Sequence, residues 1–357
     1  MSLSMIFPGP SKVIVLACVL TLGGCSSMNN HSAGGQDNSD LYQGSRSLAY
    51  KSKTQNASID ELNSESQSAL QSGNTDQAIF YLVQSLAKDP EQPEIYRRIG
   101  QIHLHLNNLD LAQAAFERAL NKAPDDIESL TGLGKIHLRQ KQRELAQSYL
   151  MRAVDVDQKR FKPLLQPKPV PEETGESSMK AESVAETSTK PVLRVDRQSP
   201  YTVYNNLGVL ADLENRFEEA QSYYQLAIKI QPASPSAYNN LGYSYYLAGN
   251  WPEAELYYHR AIEQDANFSQ TWYNIGLLYV RMEKYEMATD TFARLMKEPE
   301  AYNTVGYLCM TSGKYLIAER YLEKAISASP VYFAKARENL KLNRQYLEDS
   351  LVAKSTP

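Results

Sequence analysis

The sequence predicts an all-α superhelix, an α-solenoid of stacked helix pairs in two blocks with a C-terminal capping helix. Three observations predict it. Small and large apolar residues recur at a spacing of 34 over most of the chain. A Pro-rich stretch interrupts that recurrence once. After the last recurrence, apolar residues continue at helical spacing among Lys, Arg and Glu.

The chain opens with an export pattern. Lys12 precedes the apolar run Val13 to Leu22, which ends in Leu22-Gly23-Gly24-Cys25. Ten apolar residues are too few to span a bilayer as a helix but suit a secretory signal. Small residues before a Cys resemble a bacterial lipobox, so residues 1–24 read as a lipoprotein signal peptide, with Met1 or Met5 as the start. Cys25 then carries a diacylglycerol and an N-acyl chain, and several chains on one residue anchor firmly where one alone is marginal. Ser26 follows, which by resemblance to enterobacterial lipoproteins implies the periplasmic face of the outer membrane. Residues 26–58 are rich in Ser, Asn, Gly and Gln and are expected to be a flexible tether of about 30 Å as a coil.

The body of the chain is organised by the repeat. Residues 93–126 carry Tyr96, Ile99, Gly100, His103, Ala112, Phe116, Ala119 and Pro124. Residues 127–158 carry Leu130, Leu133, Gly134, His137, Ala146, Leu150 and Ala153. A degenerate unit at 59–92 keeps Ala78, Leu82 and Pro90. These three form block one, 59–158. Residues 159–199 hold Pro163, Pro167, Pro169, Pro171 and Pro191 among Glu, Ser and Thr, and are expected to be a disordered linker. Block two, 201–332, has four units. Its markers include Tyr204-Leu207-Gly208 with Ala220 and Tyr224, and Tyr238-Leu241-Gly242 with Ala254 and Tyr258. Trp272-Ile275-Gly276 with Ala288 and Phe292, and Tyr302-Val305-Gly306 with Ala318 and Leu322, complete it. Gly and Ala let paired helices approach closely, large residues fill the gaps, and Pro stops the second helix. The unit 269–298 is four residues short, so its second helix is expected to lose a turn near Met296 to Pro299. Residues 333–352 read as the solvated capping helix.

This spacing is the tetratricopeptide pattern. In such arrays the first helix of each pair lines the concave face. The candidate groove residues of block two are Asn205, Asn206, Asn239, Asn240, Tyr243, Tyr273, Asn274, Asn303 and Tyr307. An Asn amide both donates and accepts, so a ladder of them can grip an extended partner's backbone. Equally, Asn at these positions can serve solubility and helix-start hydrogen bonding. The tyrosines can hold apolar side chains of a partner, whereas Tyr245, Tyr258 and Tyr279 read as packing residues. In block one the groove carries Arg97, Arg98, Gln101 and Lys135, a mildly basic face.

Other function classes find little support. The net charge of −4 gives no bulk attraction to nucleic acid. Tyr is abundant at 24, against 8 Phe and 2 Trp, which fits helix packing or an adhesive surface. His103 and His137 sit where the repeat places core aromatics, with no Cys, Asp or Glu in register as metal ligands. Gly132-Leu133-Gly134-Lys135 lies within a repeat helix and lacks the strand of a phosphate loop. With Cys25 acylated, Cys309 has no disulfide partner. No catalytic set and no cofactor is expected.

The signal, block two and Ala334-Lys335-Ala336-Arg337-Glu338-Asn339-Leu340 together resemble the tetratricopeptide lipoprotein of tight-adherence (Tad/Flp) pilus assembly. That resemblance implies a non-enzymatic outer-membrane scaffold that helps a secretin assemble or localise, with a secretin segment in its groove. A type IV pilotin, or an adaptor for cell-wall hydrolases and proteases, is the alternative.

Overall fold

The computed structural model describes residues 38–42, 54, 56–161 and 193–355. The signal peptide, Cys25, residues 26–37 of the tether and the core of the Pro-rich stretch, 162–192, lie outside the described residues.

The described residues form a 3-10 turn at Asn38–Leu41 and a run of α-helices. Block one contains α1 (Ile59–Gln71), α2 (Thr75–Lys88), α3 (Pro93–His105), α4 (Leu109–Lys122), α5 (Ile127–Arg139) and α6 (Arg143–Lys159). Block two contains α7 (Tyr201–Leu213), α8 (Phe217–Ile230), α9 (Pro235–Leu247), α10 (Trp251–Gln264), α11 (Ser269–Arg281), α12 (Tyr285–Ala293), α13 (Glu298–Thr311) and α14 (Tyr315–Ala328). The helix α15 (Ala334–Ser355) packs on α14. Consecutive helices form antiparallel pairs, and from α3 onward the first helix of each pair also touches the first helix of the next.

Close approach within each pair explains the glycine positions. A Cβ on Gly208 would lie 2.5 Å from the Tyr224 ring, and one on Gly276 would lie 2.5 Å from the Phe292 ring. No real side chain tolerates such contacts, so the large residue of the second helix requires glycine on the first. The turn inside each pair is equally regular. Gly73, Asn107, Lys141, Asn215, Gly249, Glu283 and Gly313 all take a left-handed φ between 58° and 79°. Each closes its first helix. In α9, Gly249 N–H donates to the Tyr246 carbonyl and Asn250 N–H to that of Tyr245.

The shortened unit behaves as expected. Its second helix, α12, has 9 residues where the other second helices of block two have 14. Arg294, just past its end, stacks over the Trp272 ring at 4.4 Å.

Two stretches expected to be irregular are folded onto the array. Asn38–Tyr42, assigned to the tether, packs against α2 and α4, with Leu41 fully buried. Residues 193–199, assigned to the linker, pack on α6 and α7. There Leu193 and Val195 join the core around Leu150, Val154 and Tyr204. The Gln158 side chain bonds both backbone groups of Arg194, at 2.7 and 3.0 Å. Across the junction of the blocks, Tyr204 donates to Asp157 at 2.7 Å, and Arg160 bridges Asp157 and Asp196. Block two therefore stacks on block one through α6 and α7. The physical reason is apolar burial plus satisfied amides, which outweigh the ordering entropy of these short segments.

Candidate functional site

The inner face of block two is built by α7, α9, α11 and α13. The structure brings the candidate asparagines together, but mainly with one another. Asn240 Nδ2 donates to Asn205 Oδ1 at 2.9 Å, and Asn274 Nδ2 donates to Asn239 Oδ1 at 2.9 Å. Asn339 Nδ2 donates to Asn303 Oδ1 at 2.9 Å. Thr271 adds a second donor to Asn239 at 3.1 Å. The sixth position of one unit thus donates to the fifth position of the unit before it, so the amides stitch neighbouring first helices together. Asn239, Asn274 and Asn303 are buried, whereas Asn205, Asn206 and Asn240 are half-buried. Tyr273 replaces the acceptor Asn in the third unit, and there Thr304 bonds its own helix at the Glu300 carbonyl. Asn206 Nδ2 is buried without a hydrogen-bond partner.

The tyrosines present a different surface. Tyr243 stacks on Tyr246 with ring centroids 5.8 Å apart, and both are half-buried. Tyr273 sits edge-on to Phe292 at 5.4 Å, and Tyr307 is exposed. Tyr258 is wholly buried in the core and Tyr279 nearly so, while Tyr245 is half-buried and stacks on Tyr257 at 5.3 Å. A row of half-exposed rings on rigid helices offers large contact area at little entropy cost.

A buried carboxylate beside this row was not foreseen. Asp212, near the end of α7, accepts from Tyr224 at 2.9 Å and from Ser244 at 2.7 Å. Burial pushes its pKa up to about 6, against the opposing pull of those two hydrogen bonds. It ties α7, α8 and α9 together. The same position holds Leu104, Leu138, Tyr246, Val280 and Met310 in other units, so a carboxylate there departs from the repeat.

In block one, Arg97 pairs with Asp126 at 2.8 Å and Glu128 at 3.3 Å, and Gln101 donates to Glu128 at 2.8 Å. Burial, then the neighbouring Arg139, lowers the pKa of Lys135, and burial lowers that of Arg98. His103 and His137 are buried core residues. His137 stacks on Tyr149 with centroids 5.4 Å apart. Burial pushes the Cys309 thiol up to about 12, so it stays a protonated core residue. Among the described residues no group of three His, Cys, Asp or Glu is placed to hold a metal ion.

Stacked helix pairs with a continuous inner face define an α-solenoid scaffold of the kind that binds protein partners. Tetratricopeptide repeat models match residues 69–130, 127–160, 201–234, 235–268, 269–297 and 299–332, together more than half of the chain. The chain belongs to the tetratricopeptide repeat family. No curated protein matches it. Among solved structures it is similar to a tetratricopeptide repeat protein from Parabacteroides merdae, at 15% identity and TM-score 0.51. That match covers 80% of this chain and 98% of the other. It is also similar to the Cut9–Hcn1 assembly of the APC/C, at 14% identity and TM-score 0.52, over 82% of this chain and 50% of the other. PilW, a type IV pilus biogenesis factor, matches at 16% identity and TM-score 0.48, over 79% of this chain and 98% of the other. At these identities the likeness shows the fold alone.

Proposed function

We propose that this chain is a lipid-anchored scaffold that holds an extended segment of a protein partner along the inner face of block two. The observation that carries this reading is the row Tyr243, Tyr246, Tyr273 and Tyr307, held half-exposed by helices whose amides are already paired. With the asparagines engaged in stitching, the rings are what a partner meets first. Buried aromatic anchors each contribute about 2 kcal/mol to a typical interface. Combined Tyr243→Ala, Tyr273→Ala and Tyr307→Ala therefore lowers affinity by a factor of about a hundred or more while leaving the helical content unchanged. Unchanged co-purification of the partner with that variant overturns the reading.

The Gly23-Gly24-Cys25 pattern supports acylation at Cys25, and Ser26 supports the periplasmic face of the outer membrane. The resemblance to the Tad/Flp lipoprotein supports a pilus secretin as the partner. Cys25→Ser removes the acyl chains and releases the protein from membranes; persistence in the membrane fraction refutes the lipobox reading. A secretin, a secretion ATPase and a small prepilin encoded beside this gene favour the pilus over a cell-wall hydrolase adaptor.

A further inference from the structure

The first described segment of the chain fills a cleft in block one. Asn38–Tyr42 lies over α3 in the gap between the second helices α2 and α4. Four of its five residues, Asn38, Asp40, Leu41 and Tyr42, meet a matching group. Leu41 is fully buried among Tyr81, Tyr96 and Ile99 of the block-one core. Asp40 takes a two-pronged bond from Arg118, at 2.9 and 2.5 Å. Tyr96 donates to the Asn38 side-chain oxygen at 3.1 Å. His103 Nε2 donates to the Leu41 backbone carbonyl at 2.9 Å, which fixes the tautomer because a carbonyl only accepts. Tyr42 donates to Asp76 at 3.0 Å and packs edge-on against Phe80.

These partners come from α2, α3 and α4, between 34 and 80 residues away in the chain. The cleft is thus built by residues far along the chain, and the segment occupies it as a ligand occupies a site. A charge-assisted fork for one carboxylate, an apolar pocket and an aromatic shelf with a carboxylate at its end form a recognition set. Burial lowers the His103 pKa, and the hydrogen bond to the Leu41 carbonyl opposes that shift.

We propose that this cleft is a second peptide-binding site, specific for a short segment ordered carboxylate, apolar, aromatic, and that residues 38–42 are its ligand in cis. If Cys25 is acylated as argued under Proposed function, the docked segment acts as a clip. Docked, the segment leaves 12 residues between Cys25 and Asn38, a span of at most about 40 Å; released, it leaves 33 residues before Ile59, at most about 110 Å. Release of the clip lengthens the reach of the scaffold from the membrane.

The test uses the full chain in detergent and a labelled peptide spanning residues 36–44. In the wild type the site is filled in cis at an effective concentration near millimolar, so the peptide binds poorly. Leu41→Asp empties the site, and peptide affinity rises at least about tenfold. Adding Arg118→Ala, or using a peptide with Asp40→Lys, removes that gain. In wild type, amide exchange at residues 38–42 is slow. Free-chain exchange rates there, or equal peptide binding by wild type and Leu41→Asp, overturn the proposal. None of these readouts depends on acylation, so loss of the lipobox reading leaves the site standing.

Discussion

Asp212 makes the array's stability depend on pH in a way that singles it out. Its folded pKa is about 6, against an ordinary value of 3.8. A raised carboxylate pKa means that the folded state holds the proton more tightly than the unfolded chain does. The contribution is fully present below the unfolded value, and it is lost as pH rises through 6. Two units at about 1.4 kcal/mol each give a loss of about 3 kcal/mol between about pH 3 and pH 7. Asp212→Asn keeps an oxygen to accept from Ser244 or Tyr224 and removes the titrating group. Other acids obscure the total pH profile, because Glu61, Asp196 and Glu286 are shifted the opposite way by their own hydrogen bonds. The quantity to measure is therefore the difference in urea-unfolding free energy between wild type and Asp212→Asn at each pH. The expected result is that Asp212→Asn gains on wild type by about 3 kcal/mol as pH rises from about 3 to 7, with most of the change falling between the unfolded and folded pKa values and its midpoint near pH 5. A difference that does not vary with pH refutes the burial of this carboxylate between α7, α8 and α9.

Three further substitutions test the packing. Gly276→Ala drives a Cβ into the Phe292 ring at 2.5 Å and is expected to cost about 2 kcal/mol in denaturant unfolding. Lys141→Gly relieves a left-handed backbone at φ 61° on an exposed side chain and is expected to stabilise by about 1 kcal/mol, read as a higher Tm. Asn239→Ala strands the buried donors of Thr271 and Asn274 and is expected to cost about 2 kcal/mol or more in unfolding; a loss of partner capture with unchanged stability contradicts the stitching role.

The repeat was legible because it is a steric requirement. Gly208 must be small where Tyr224 is large, and that demand recurs every 34 residues in plain view. The short α12 was legible by counting residues between Ser269 and Glu298. The asparagine pairing was not. Whether Asn240 reaches Asn205 or points to solvent depends on the offset between stacked helices, which no spacing within one unit encodes. The left-handed turn residue is hidden for a related reason: only three of its seven occurrences are glycine. Asn38–Tyr42 reads as solvated tether by composition, and its folded state is set by Tyr96, His103 and Arg118 far along the chain. The candidate site was therefore half legible. The sequence located the inner face and its tyrosines, while which polar groups stay open to a partner is decided by packing between units.

The most direct test of the scaffold reading is site-specific photo-crosslinking in intact envelopes, with the probe at position 273 or 307 on the inner face, or at 225 on the exposed side of α8. The account predicts one protein captured from 273 and 307 and absent from 225. Equal capture from 225, or none from the inner face, contradicts it.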